Sequence, residues 1–355
     1  MPDSFRDRRV PNFDATDPAI RPMYQDSTSV GMEYQFSTTS AIGAHVIHNV
    51  LGRTIEDLGG LVNGNEVYVI GNPGGGELGT LTPSSGATAP FTTPKAVRRY
   101  DALELTYSRR FSKGWFASAS YTLSRLYGNY AGLANSDEIA TPTTGGGLAT
   151  TQQQSGSIAR QGGNVNRAWD IDEVLFTSHG GIADGVVGRL ATDRPHVVKL
   201  YGSYRFPFGT QVGGNFYGGS GTPISTYVVT LNGTNLFVDG RGDMGRTPVL
   251  TRTDLLLSHE LALTSTRRIR FELNVQNVFN QRTATHVFNF RNRGAGAARA
   301  SSAINLASTD LTKGYDYNAL IQASPDGLNA YDPRYGANDL FQPGAQGQFS
   351  VKFIF

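Results

Sequence analysis

Cysteine is absent from the sequence. That excludes a disulfide framework, thiolate metal sites and cysteine nucleophiles, and it suits an oxidising envelope. Charge is also scarce. Asp, Glu, Lys and Arg make up 17% of the 355 residues, against about a quarter in soluble globular domains. The net charge of +2 is too small to indicate nucleic acid or an acidic partner. No run of about 18 apolar residues occurs, so no transmembrane helix is expected. Residues 1–9 carry charges with no apolar stretch behind them, so they do not read as a secretory signal peptide. Catalytic patterns are missing too. The six histidines (His45, His48, His179, His196, His259, His286) contain no H-E-x-x-H and no i, i+4 pair. Gly218-Gly219-Ser220-Gly221 has Thr222 where a nucleophile elbow needs its second glycine. The expectation is a chain that is not an enzyme and carries no cofactor and no metal.

What is present is glycine, 43 residues, with 19 Phe and 16 Tyr, a mixture suited to barrel strands, aromatic girdles and long loops. Alternation with period two marks strands. Over 28–38, Val30, Met32, Tyr34 and Phe36 alternate with Ser29, Gly31, Glu33 and Gln35. A second strand over 41–52 follows after two residues. Over 97–110, Leu103, Leu105 and Tyr107 oppose Glu104, Thr106 and Ser108. Over 115–128, Trp115, Ala117, Ala119, Tyr121 and Leu123 oppose Ser118, Ser120 and Thr122. Further strands are expected over 193–206, 209–220, 248–263 and 267–279. The last segment places Phe349, Val351, Phe353 and Phe355 on one face and Gln348, Ser350 and Lys352 on the other.

The nine strands are joined alternately by short and long connections. The short ones have two to four residues. The long ones, 53–96, 129–192, 221–247 and 280–345, take up more than half the chain. Soluble meanders keep connections short throughout, whereas bacterial outer-membrane barrels combine short periplasmic turns with long outer loops. If the last strand ends in the periplasm, every short turn falls on that side and every long loop outside. The charges then mark the wet face: Lys199, Arg205, Arg252, Asp254, Arg270 and Glu272 line water, because a lipid-facing Arg or Lys costs about 2–4 kcal/mol at mid-depth. Nine strands cannot close an even-numbered barrel. The expected fold is therefore all-β, an antiparallel up-and-down transmembrane β-barrel, partial, with about nine carboxy-terminal strands and long extracellular loops. Residues 1–27, with Pro2, Pro11, Pro18 and Pro22, read as loop or the remnant of a preceding hairpin, and 28–355 as barrel.

Several local motifs have plain readings. Gly240-Arg241-Gly242-Asp243-Met244-Gly245 fits G-x-G-x-x-G, but Pro248 and a strand follow instead of a helix, so it is not a dinucleotide loop. The Arg241-Gly242-Asp243 tripeptide within it reads as a turn with a locally bonded Asp. Asp239 and Asp243 are too few to claim calcium. Asn232-Gly233-Thr234 fits a glycosylation acceptor, which means little in a bacterial surface protein. Trp115, Tyr127, Tyr204, Phe206, Phe349 and Phe355 suit interfacial girdles or ordinary core packing.

Taken in order, Arg99-Tyr100-Asp101-Ala102-Leu103-Glu104-Leu105, Trp115 to Thr122, Arg194-Pro195-His196, Gly221-Thr222-Pro223-Ile224, Gly240 to Pro248, Asn277-Val278-Phe279-Asn280 and the final Phe355 resemble the end of a TonB-dependent outer-membrane receptor of the Oar-like branch. The likeness spans roughly 28–355. It implies a barrel of about 22 strands with an internal plug energised by TonB, a segment and plug that this chain lacks. It also implies that the strand bearing Phe349, Val351, Phe353 and Phe355 is the outer-membrane assembly signal read by the barrel-assembly machinery. The partners expected are outer-membrane lipid and lipopolysaccharide, that machinery, and TonB only through the missing plug; nucleic acid is not among them. The expected role is surface binding and uptake of a solute in the outer membrane of a Gram-negative-type bacterium. The alternatives are a structural or adhesive outer-membrane protein without transport, and a soluble β-sandwich binding module.

Overall fold

The structure, a computed structural model, describes residues 12–62, 65–81, 90–131, 172–231, 235–293 and 300–355. Nine long strands dominate it: β1 (Tyr24–Gln35), β2 (Ser40–Arg53), β3 (Arg98–Ser112), β4 (Trp115–Gly128), β5 (His196–Arg205), β6 (Thr210–Gly219), β7 (Leu250–Ala262), β8 (Arg268–Gln276) and β9 (Gln346–Ile354). Each pairs antiparallel with its neighbours in sequence, so the sheet runs β1 to β9 without a crossover. Such strands are long enough to cross a bilayer at a tilt. The sheet is open: among the described residues the outer edges of β1 and β9 pair with no further strand.

All nine expected strands are present, and their ends shift for local reasons. β5 starts at His196 because Pro195 has no N–H to give the ladder. β8 stops at Gln276 because Asn277 turns left-handed, with φ 49°. β1 starts four residues earlier than its apolar alternation suggests, Tyr24 being followed by the polar run Gln25-Asp26-Ser27. The reading of 1–27 as loop needs correction over its described part. Asn12–Thr16 forms a strand that pairs in parallel with Asn65–Gly71, and the prolines flank it instead of interrupting it.

The long gaps contain structure that their Gly- and Thr-rich composition hides. Hairpins form between Glu56–Val62 and Asn65–Gly71 and between Tyr227–Val229 and Asn235–Phe237, and Ala284–Val287 pairs antiparallel with the distant Asn338–Phe341. A short helix, α1 (Tyr317–Gln322), is capped by Asp316, whose carboxylate accepts from the Ala319 N–H. These pieces, drawn from three long connections, enclose a core of Val228, Leu236, Val238, Ile304, Leu311 and Ile321, each fully buried. A second cluster joins Val186, Tyr227, Val229, Phe237, Phe288 and Phe290. We call this assembly the cap. Residues 1–11, the central part of the 129–192 gap (132–171) and Asn232-Gly233-Thr234 lie outside the described residues.

The last long connection is fastened at its base. Asn277 Nδ2 donates to the carbonyls of Gln281 and Pro343, both at 2.8 Å, and Asn280 Oδ1 accepts from Ala345 N–H at 2.9 Å. Both asparagines have positive φ, a conformation asparagine tolerates better than most residues. The N-x-x-N pattern therefore ties the exit of β8 to the start of β9.

Candidate functional site

The sheet has two unlike faces, and the register makes them continuous. On one face Trp115, Tyr204, Val212, Leu257, Leu273 and Phe349 form a single row across β4 to β9. Nearer the cap, Val30, Val46, Leu103 and Leu123 form another across β1 to β4. These side chains are exposed despite being apolar: Val30 is 70% and Met32 71% accessible. Between Leu103 and Phe111 the face spans roughly 20 Å once the usual rise and barrel tilt are allowed for, close to the ~25 Å apolar band of a membrane barrel. Aromatics bound it at the turn end. Phe36 stacks on Tyr107, and Phe206 meets Tyr204 edge to face at 4.7 Å and stacks on Phe208 at 5.2 Å. There Arg109 lies 3.9 Å over the Trp115 ring and donates to Thr39 Oγ1, an amphipathic side chain reaching toward the interface. At the cap end a polar row, Thr28, His48, Asp101 and Arg125, closes the band.

The opposite face is polar. Ser118, Ser120 and Thr122 of β4 face Tyr201, Lys199 and Val197 of β5. Arg252 and Asp254 pair at 2.8 Å. Toward the turn end Glu260 accepts from Arg268 at 2.6 Å and Arg270 at 2.8 Å, while Glu272 accepts from Lys352 and lies 3.7 Å from Arg270. Such pairs contribute little net stability in water, but they let charged side chains line a wet surface without loss. The expected charges on this face are thus where the alternation puts them.

The cap stands over the end where the long connections emerge. Its strongest tie is the carboxylate of Asp193, wholly buried, which accepts from Arg246 and from the Leu126 N–H at 2.6 Å. Arg246 also donates to the carbonyls of Asp193 and Gly221, both at 2.9 Å. Buried Asn292 stands in for a missing strand: it accepts from Val229 N–H and donates to the carbonyls of Val229 and Ser302. Tyr317 donates to Asp239 at 2.8 Å. Burial first, then that hydrogen bond, pushes its phenol up to about 12. Tyr315 beside it is pushed up further by burial and by the charges of Glu173 and Asp239.

The sequence motifs fall into this cap as structure. In the Gly240 to Gly245 stretch, Gly240, Gly242 and Gly245 all have positive φ (91°, 80°, 84°), so the glycines serve a turn. Arg241 lies 4.1 Å over the Phe237 ring and donates to Val186 O, and Asp243 accepts from Thr226 N–H at 2.8 Å. Neither is presented for an integrin-type contact, and Asp239 and Asp243 turn to different partners. A Cβ on Gly221 would fall 1.5 Å from the Thr247 carbonyl, which explains that glycine in Gly221-Thr222-Pro223-Ile224. The histidines are dispersed: His45 on the polar face, His48 with Asp101, His179 near Asp239, His196 on Tyr121, His259 on Thr210 and His286 on Asp339. Among the described residues no three His, Asp or Glu side chains are placed to hold a metal ion. Phe349, Val351 and Phe353 do share the apolar face of β9, with Phe355 just beyond it. Sequence reasoning missed the cap core; its signal was the apolar triplets Tyr227-Val228-Val229 and Leu236-Phe237-Val238 and the Phe288/Phe290 pair inside gaps read as loop.

An antiparallel meander, apolar outside, polar inside and sealed at one end by folded loops, defines a wall segment of an outer-membrane β-barrel. The family described as outer membrane beta barrel domain matches residues 4–220, and the chain belongs to it. The TonB-dependent transporter Oar of Myxococcus xanthus is 32% identical over 271 residues, 74% of this chain and 22% of that protein. The sequence thus groups with Oar-like TonB-dependent receptors and spans about a fifth of that relative's length. Among solved structures, P. aeruginosa FpvA bound to a heterologous pyoverdine gives 11% identity and a TM-score of 0.41, over 94% of this chain and 27% of that one. The ferric-catecholate import receptor Fiu of E. coli K12 gives 11% and 0.42, over 94% and 28%. The chain is an outer-membrane protein.

Proposed function

We propose that this chain forms the solute-facing wall and outer cap of a transporter that takes up a scarce or bulky solute across the outer membrane. The observation that carries this reading is the polar face of β4 to β9, a hydrated surface running beneath a cap with its own core. The cap faces outward and the short turns face the periplasm. Uptake draws on TonB, as the name of the Myxococcus relative states for that protein, through a plug outside this chain. The partners include outer-membrane lipid and lipopolysaccharide. The apolar face of β9, with Phe349, Val351, Phe353 and Phe355, is the segment read by the barrel-assembly machinery; its alternation and its opposed ladder with β8 support this.

The test is growth. A strain lacking the protein and a strain lacking TonB are compared on a panel of iron chelates, oligosaccharides and peptides. A shared defect on one solute supports transport. Normal growth on the whole panel, together with loss of surface attachment, would overturn it in favour of an adhesive role. For the assembly segment, Phe353→Ser with Phe355→Ser is expected to lower the amount of protein in the outer membrane several-fold; unchanged amounts would remove that role.

A further inference from the structure

Two arginines stand on this face above its last apolar row, Arg125 in the polar row next to it and Arg99 one row further toward the cap. Arg99 of β3 and Arg125 of β4 are both exposed and make no hydrogen bond or ion pair with any described residue. Arg99 faces Tyr127 and Arg125 faces Asp101, so the two are diagonal neighbours, about 7–8 Å apart at the backbone. Their long side chains can converge on one small anion. Arg125 is held by the Tyr127 ring, 4.4 Å from its centroid. The nearest carboxylate, Asp101, is engaged by His48 on its other side. The other carboxylate on this belt, Asp26, faces Val50, which in turn faces Arg99. It is therefore two strand spacings away, about 9–10 Å.

The height of this pair is what gives it meaning. Directly below lie Val30, Val46, Leu103 and Leu123, which need hydrocarbon. Directly above, the chain enters the cap. The guanidinium groups therefore sit where lipid headgroups begin, on the cap side of the membrane. Guanidinium matches phosphate with paired, charge-assisted hydrogen bonds, and a cation without an ion-pair partner at that height is complementary to an anionic headgroup. We propose that Arg99 and Arg125 form a site for the phosphate of a phosphorylated glycolipid in the outer leaflet. Its acyl chains run down the face past Leu103 and Leu123. The choice of leaflet rests on the orientation given under the proposed function.

The experiment uses protein extracted from outer membranes in mild detergent. Binding of diphosphorylated lipid A is compared with that of lipid A stripped of its phosphates, for the native protein and for Arg99→Gln with Arg125→Gln. A preference of about tenfold for the phosphorylated form, lost in the double variant, is expected. No preference in the native protein, or a preference that survives both substitutions, would overturn the site. Full displacement by millimolar inorganic phosphate would overturn it too, reducing it to a simple anion site. If the double variant does not fold, the lipid comparison on native protein decides alone. Orientation is read separately and cleanly, since the chain has no cysteine. Ile182→Cys in the cap, where Ile182 is exposed, should react with an impermeant maleimide on intact cells, and Lys113→Cys in the β3–β4 turn should not. The reverse pattern would remove both the orientation and the leaflet. Correct labelling without a lipid preference would remove only the site.

Discussion

Valine is used in opposite ways by the sheet and the cap. On β1 Val30 is 70% accessible; in the cap Val228 is fully buried. The sheet keeps its apolar residues outside and its charges within the ladder of the polar face, while the cap keeps Leu236, Ile304 and Ile321 inside and ties its loops with buried polar groups. The difference follows from what surrounds each part. A face that meets hydrocarbon loses nothing by exposing methyl groups and would lose heavily by exposing charge. A cap in water must build a core of its own.

The largest break in this contrast is expected from Arg246→Ala. It leaves the buried Asp193 carboxylate with the Leu126 N–H and the longer 3.4 Å contact to Arg189 as its remaining partners, and breaking a buried pair by removing one partner costs about 3–5 kcal/mol. Hydrogen exchange should rise across the cap while protection of the sheet stays unchanged. Loss of both together would mean the two regions are not separate units. A crossed pair comes next. Ile304→Ala should cost the cap about 2–5 kcal/mol, whereas Leu257→Arg should cost the sheet about 2–4 kcal/mol in a bilayer, and denaturant titration in lipid reads both. Asn292→Leu should cost about 1–3 kcal/mol, since it takes their side-chain partner from the Val229 N–H and the Ser302 carbonyl; exchange at Val229 N–H reports it. The smallest effect is that of pH. The Tyr317 phenol is raised from its usual 10 to about 12 in the folded cap. The unfolded chain therefore loses this proton first, and the stability linked to it is complete below pH 10 and lost as pH climbs toward 12. Tyrosinate absorbance should show this step, and Tyr317→Phe should remove it.

The sequence displayed the sheet far better than the cap, for a physical reason. A strand with lipid on one side and water on the other must alternate, so Trp115 to Leu123 announced both β4 and its faces without any knowledge of neighbours. Cap strands such as Tyr227–Val229 are too short to show a period, and their burial depends on partners a hundred residues away, as Thr226 and Tyr335 illustrate at 2.7 Å. The charged ladder was legible as a wet face through Arg270 and Glu272. Its actual hub, Glu260, was not, because Arg268 and Arg270 reach it only across the β7–β8 register. Asp193, at the start of an expected strand, and Arg246, at the end of a long gap, carry no local mark of a buried pair.

The asparagine clasp at Asn277 and Asn280 has a consequence for how this molecule can change. With residues 277–281 bonded to 343–345, the two ends of that excursion are already together before anything between them is arranged. Loop closure entropy then depends only weakly on what lies in the middle. For the wall alone the segment is a cassette: its contents can change while β8 and β9 stay in step, and what such a change disturbs is the cap core that Ile304, Leu311 and Ile321 complete.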